Sequence, residues 1–219
     1  MEQPMMPFAG FTPETGQFFW DLAFHNERPW FQAHKEEFTR LVQTPFRALA
    51  VQTAQALGRL CPEAALELHV ARIYRDARRL FGRGPYKDHL WFDLHEPLRE
   101  EGPTLWFSLS GAGFRCGMGH YASPAGMERF RARVLADPAP MTELARRLAE
   151  QDRFRLEAEQ YKRPKGELGP LLDPWFNSRH LAILRGGDYT AELADPALPE
   201  RLAEDFAWLM PYFAYFRAL

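Results

Sequence analysis

With 219 residues, 46% of them hydrophobic and 14% aromatic, the chain can bury one substantial core and reads as a single domain over 1–219. Its 27 basic and 29 acidic residues leave a net charge of −2, which excludes a global field drawing the whole molecule onto nucleic acid or an anionic membrane. No run approaches the roughly 18 apolar residues of a membrane span. The N-terminus lacks the basic-then-apolar pattern of a signal peptide, and Cys61 and Cys116 are too few for a disulfide framework, so a cytoplasmic location is expected.

In chain order, Thr12-Pro13-Glu14 supplies an N-cap, a proline for the first turn and an acid beside it. Phe18, Phe19, Leu22 and Ala23 line one side of the helix that follows. Asn26 is expected to cap a second helix carrying Phe31, Phe38, Leu41 and Val42, which Thr44-Pro45 interrupts or kinks. Phe46, Leu49, Ala50, Thr53, Leu57 and Leu60 then recur at helical spacing.

After Cys61-Pro62 the period changes to two. "LELHVARIY" places Leu66, Leu68, Val70, Arg72 and Tyr74 on one face, and "LWFDLH", "LWFSLS" and "FRCGM" follow as further strands. Ser123-Pro124 opens a helix, and Pro138 or Pro140 opens another. Strands are expected around Phe154–Ala158 and at "HLAIL". Leu202, Phe206, Leu209, Phe213 and Phe216 mark a long C-terminal helix with a kink expected at Pro211. The fold class is α+β: a helical N-terminal part, a central, mostly antiparallel sheet, helices packed on it and a long C-terminal helix.

One stretch departs from the even charge. Within "ARIYRDARRLFGRGPYKDHLWF", Arg72, Arg75, Arg78, Arg79, Arg83 and Lys87 are answered locally only by Asp76 and Asp88. Unbroken alternation would turn Arg72 toward the core, where a guanidinium is costly unless a carboxylate or a bound anion meets it. Arginine forks suit carboxylate or phosphate, lysine adds a point charge, and the Tyr86 phenol would orient a ligand oxygen. Asp76 is expected to hold an arginine in place.

Arg72-Ile73-Tyr74-Arg75-Asp76 followed by Pro85-Tyr86-Lys87 resembles the signature of the DUF2461 family, mostly bacterial proteins of unknown function. "FTPETGQFFWDLAFHNERPWFQAHKEEF", "GMGHYASPAGMERFRARV" and "KRPKG" are similar to it as well, so the resemblance spans nearly the whole chain. It implies a common α+β fold and a shared polar site, and it joins Lys165 to Arg72, Arg75, Tyr86 and Lys87.

The ligand-binding set read from the sequence is therefore Arg72, Arg75, Asp76, Tyr86, Lys87 and Lys165, holding a small phosphate- or carboxylate-bearing molecule, with any catalysis left open. The competing readings are a module for nucleic acid or an acidic protein partner, and an internal salt-bridge network without ligand. His89, Asp93 and His95 lack a recognised metal spacing, so neither a metal nor a cofactor is expected. "SLSGAG" lacks the preceding glycine of a nucleophile elbow, and Cys116 reads as packed beside Phe114 and Met118.

Overall fold

Prolines shape the N-terminal helices. The structure, a computed structural model, describes residues 6–76, 78, 82–97 and 101–219. Helix α1 (Pro13–Phe24) starts where Thr12 is extended and Pro13, having no N–H to leave unpaired, enters the first turn. Helices α2 (Arg28–Ala33) and α3 (Lys35–Phe38) follow, and α3 runs through a π turn, Thr39–Gln43, into α4 (Thr44–Leu60). Pro45 has no N–H to offer the Leu41 carbonyl four residues earlier. The backbone widens there, with the Thr44 N–H reaching the Thr39 carbonyl, and the buried Thr15 hydroxyl of α1 donates to the Leu41 carbonyl at 2.9 Å. The expected interruption at Thr44-Pro45 is thus a widened turn in a continuous helical run.

Strands β1 (Glu67–Val70), β2 (His89–His95), β3 (Pro103–Ser110), β4 (Gly113–His120), β5 (Arg155–Gln160) and β6 (Ser178–Gly187) form one antiparallel sheet in the order β1-β2-β3-β4-β6-β5. Leu90, Phe92 and Leu94 alternate into the core, as do Leu105, Phe107, Leu109, Phe114, Cys116 and Met118. Against that face pack α4, α5 (Pro124–Ala136), α6 (Ala139–Ala149), the short α7 (Asp173–Phe176) and α8 (Ala191–Ala194), and α9 (Leu198–Arg217). Phe46 of α4 meets Phe92 and Phe107, while Phe216 of α9 stacks on the ring of His120 at 4.7 Å. The fold is the α+β class read from the sequence, and α9 runs through Pro211 without a break.

Buried charge ties α9 to the sheet. Asp205, fully buried, accepts from Arg185 Nε of β6 at 2.7 Å and pairs with Arg153 at 2.5 Å. Arg185 also reaches Glu192 of α8 at 2.5 Å. Burial alone would lower the Arg185 pKa, but Glu192 and Asp205 outweigh it and raise it. Both cysteines are free, and burial pushes the Cys116 thiol up. No described helix is long and apolar enough to cross a membrane.

Two local expectations are corrected. Glu27, not Asn26, is the N-cap of α2. The strand expected over 66–74 ends at Val70, and its alternation then slips by one residue. Ala71 and Ile73 are buried while Arg72 and Tyr74 are exposed, so Arg72 does not face the core.

Candidate functional site

The slip occurs because the chain beyond Val70 finds a new partner. The Arg75 N–H donates to the Pro85 carbonyl and the Lys87 N–H to the Ile73 carbonyl, each at 2.8 Å, forming an isolated antiparallel bridge between Tyr74 and Tyr86. Tyr86's own N–H and carbonyl point away from that bridge. The Asn26 side chain meets both, accepting from the N–H and donating to the carbonyl at 3.0 Å, as a neighbouring peptide would. Gly84 makes the approach possible: a Cβ there would lie 2.3 Å from the Asn26 amide. The Tyr86 ring is buried in the core, stacked 4.1 Å from Phe31.

A cavity of about 210 Å³ lies between this segment and the helices. Phe31, Phe38, Phe46, Val70, Ile73 and Leu90 give it an apolar floor, while Thr39, Gln43 and Tyr74 add polar atoms. Three cations line it: Lys35 of α3, Arg47 of α4 and Arg72. Lys35, Thr39, Gln43 and Arg47 recur every fourth residue, a stripe that would drift around a regular helix. The wider π turn counters that drift and keeps all four toward the cavity. No carboxylate among the described residues pairs with any of the three cations, and the lining holds no Asp, Glu, His or Cys.

The structure divides the residues chosen from sequence. Arg72 lines the cavity. Arg75 is held inside the protein, its Nε donating to the Tyr86 carbonyl at 2.7 Å with Asp88 3.6 Å away. Asp76 accepts from the Arg78 guanidinium at 2.9 and 3.1 Å. Lys87 Nζ donates to the Arg72 carbonyl at 2.6 Å and sits 4.1 Å from the Trp91 ring centre. Burial lowers its pKa, with Arg72 and Arg75 adding to the effect. Arg79 and Phe81 lie outside the described residues.

Lys165 is not part of this cluster. Its loop follows β5, at the opposite edge of the sheet from β1, five strand spacings or roughly 24 Å across. There its N–H donates to Asn177 Oδ1 at 2.6 Å and its Nζ lies 4.7 Å from the Tyr161 ring centre. Arg131 and Arg179 share that ring, and both are answered by carboxylates, Glu128 at 2.9 Å and Glu159 at 3.2 Å. Lys35 and Arg47, in turn, were missed by the sequence reading. Their signal was the polar stripe, every fourth residue from Lys35 to Arg47, that runs across Pro45.

A family described as conserved hypothetical protein (DUF2461) matches residues 14–215. The chain belongs to the DUF2461 family. The match takes in both sides of the cavity, the helical stripe and the segment from Val70 to Leu90. No curated protein matches this DUF2461 chain.

Proposed function

We propose that this protein binds a small amphipathic anion, a carboxylate or phosphate monoester with an apolar body, in the cavity between the π turn and the Arg72 segment. The observation that supports the reading is three cations, Lys35, Arg47 and Arg72, without a carboxylate partner among the described residues, around an apolar floor. Phe31, Phe38 and Phe46 would take the apolar body by burial, and the cations would neutralise the acid group. A lining without carboxylate, imidazole or thiol favours holding a ligand over acid–base chemistry on it. The free cysteines agree with a reducing, bacterial cytoplasm as its place of work.

Thermal shift and calorimetry with hexanoate, benzoate, phenyl phosphate and the uncharged hexanamide and benzamide test this. A ligand at about 100 times its dissociation constant adds roughly 2.7 kcal/mol, about 5–10 °C for a domain of this size. At least one anion is expected to stabilise the protein while its amide does not, and Arg47→Ala is expected to abolish the shift. Equal shifts with acid and amide, or none with any probe, would sink the proposal.

A further inference from the structure

The sheet face turned away from the helices carries a second depression, about 410 Å³ and open to solvent, which the anion reading does not use. Trp91 of β2, Trp106 of β3 and Tyr121, just past β4, line it together with Thr104 and Ser108. Register brings them there. Trp91 pairs with Ser108 and Asp93 with Trp106, so the two indoles are diagonal neighbours on one face. Trp106 and Thr104 lie opposite Gly117 and Gly119, whose missing side chains keep the floor low. The Tyr121 ring lies across Gly119, 2.4 Å from where a Cβ would stand, and is itself 60% exposed.

Three large rings therefore step across the sheet with hydroxyl groups between them. Such an open trough suits a chain that passes over it, whereas the cavity beneath Arg72, about 210 Å³, has room for a single small molecule. Charge selects the chain. No lysine or arginine among the described residues lines the trough, and Asp93 contributes a carboxylate that His69 and His95 contact at 2.9 and 2.7 Å. Arg115 is paired with Glu157 at 2.6 Å. Lys87 Nζ lies over one face of the Trp91 ring at 4.1 Å while donating to the Arg72 carbonyl. His89, which also lines the trough, packs 5.6 Å from that ring. Successive phosphates would meet the Asp93 carboxylate with no arginine fork and no lysine among the described residues lining the trough to take them.

We propose that this face binds a neutral oligosaccharide. Its pyranose rings lay their C–H faces on Trp106, Tyr121 and the face of Trp91 that Lys87 does not cover, where the negative faces of the aromatic rings attract them. Thr104, Ser108 and Asp93 exchange hydrogen bonds with its hydroxyl groups.

The test is a titration of the full chain with glucose hexasaccharides of α-1,4 and β-1,4 linkage, the β-1,4 hexasaccharide of N-acetylglucosamine, and an eight-residue oligothymidylate, followed by tryptophan fluorescence and calorimetry. At least one hexasaccharide is expected to bind, the oligothymidylate is not, and Trp91→Ala is expected to remove binding. Tyr121→Ala changes an exposed ring and keeps the test decisive should the tryptophan variant fail to fold. It is expected to weaken binding by about tenfold, the size of one lost ring-stacking contact. No hexasaccharide binding at millimolar concentration, or unchanged affinity in Tyr121→Ala, overturns the proposal. Salt-sensitive binding of the oligothymidylate in place of the sugars does so too.

Discussion

Arg185 and Arg72 are both arginines of the sheet region, and their surroundings are opposite. Arg185 is nearly enclosed and meets Asp205 and Glu192, with Arg153 completing a network around a fully buried carboxylate. Arg72 is exposed at a cavity and has no carboxylate among the described residues. A buried charge must be answered within the protein or it is not tolerated, so a complete network is evidence of scaffolding. A cation beside an apolar cavity without a protein partner is free to answer something else. Composition treats the two alike; partner and burial separate them.

The comparison breaks most sharply at Asp205. Replacing it with Ala leaves Arg185 with Glu192 as its remaining partner and takes from Arg153 its buried one, and removing one member of a buried pair costs about 3–5 kcal/mol. For a domain of this size that lowers the melting midpoint by roughly 6–20 °C. Denaturant unfolding of Asp205→Ala measures it, and a loss below about 1 kcal/mol would mean the network is not holding α9 to the sheet.

Asn26→Ala is the next largest. It removes two hydrogen bonds to the Tyr86 backbone across 60 residues of sequence, an expected cost of about 1–3 kcal/mol. Because Tyr86 and Tyr74 form the bridge that places Arg72, the same variant is expected to weaken anion binding. Hydrogen exchange at the Tyr86 amide reads the first effect and calorimetry the second. Normal protection at that amide would remove Asn26 from the scaffold of the site.

Arg72→Ala sharpens the contrast from the other side. An exposed cation without a partner is expected to change stability by no more than about 0.5 kcal/mol, one or two degrees of midpoint. The shift induced by the best-binding anion is expected to vanish. A melting loss matching that of Asp205→Ala would make Arg72 scaffold after all.

Much of this fold was legible because local rules agree with tertiary ones. Thr12-Pro13 and Ser123-Pro124 start helices where capping and proline geometry say they should, and Ser123 Oγ accepts from the Gly126 N–H at 3.2 Å. Alternation in "LWFDLH" and "LWFSLS" matched the buried face residue for residue. The site was legible only in part. Period-two reasoning carried Arg72 into the core because nothing local announces that Ala71 changes partner. Asn26 reads as a cap by residue type, and only the fold brings it to Tyr86. Lys165 shares a charge sign with Arg72, but the placement of β5 at the far edge keeps them apart. Lys35 and Arg47 join Arg72 through a π turn whose cause, Pro45, was visible but whose consequence for side-chain direction was not.

Between the two extremes stands Asp88, a carboxylate on the surface that answers a half-enclosed arginine. Burial alone would raise its pKa, but the hydrogen bond with His89 at 2.8 Å and the charge of Arg75 outweigh burial and lower it below the ordinary 3.8. A lowered carboxylate pKa stabilises the fold fully above the unfolded value, and that contribution is lost as pH falls through the folded one. The pair is solvent-screened, with the Asp88 side chain 59% exposed, so Asp88→Asn should cost only a few tenths of a kcal/mol at neutral pH, about a degree of midpoint. The gap between wild type and variant should close on acidification while both remain folded. It should also shrink in 1 M salt, which screens an exposed pair but leaves the enclosed Arg185–Asp205 contact largely untouched. A gap that ignores both pH and salt would assign the cost to lost hydrogen bonding, and Asp88 would then belong with the turn's geometry instead of its charge.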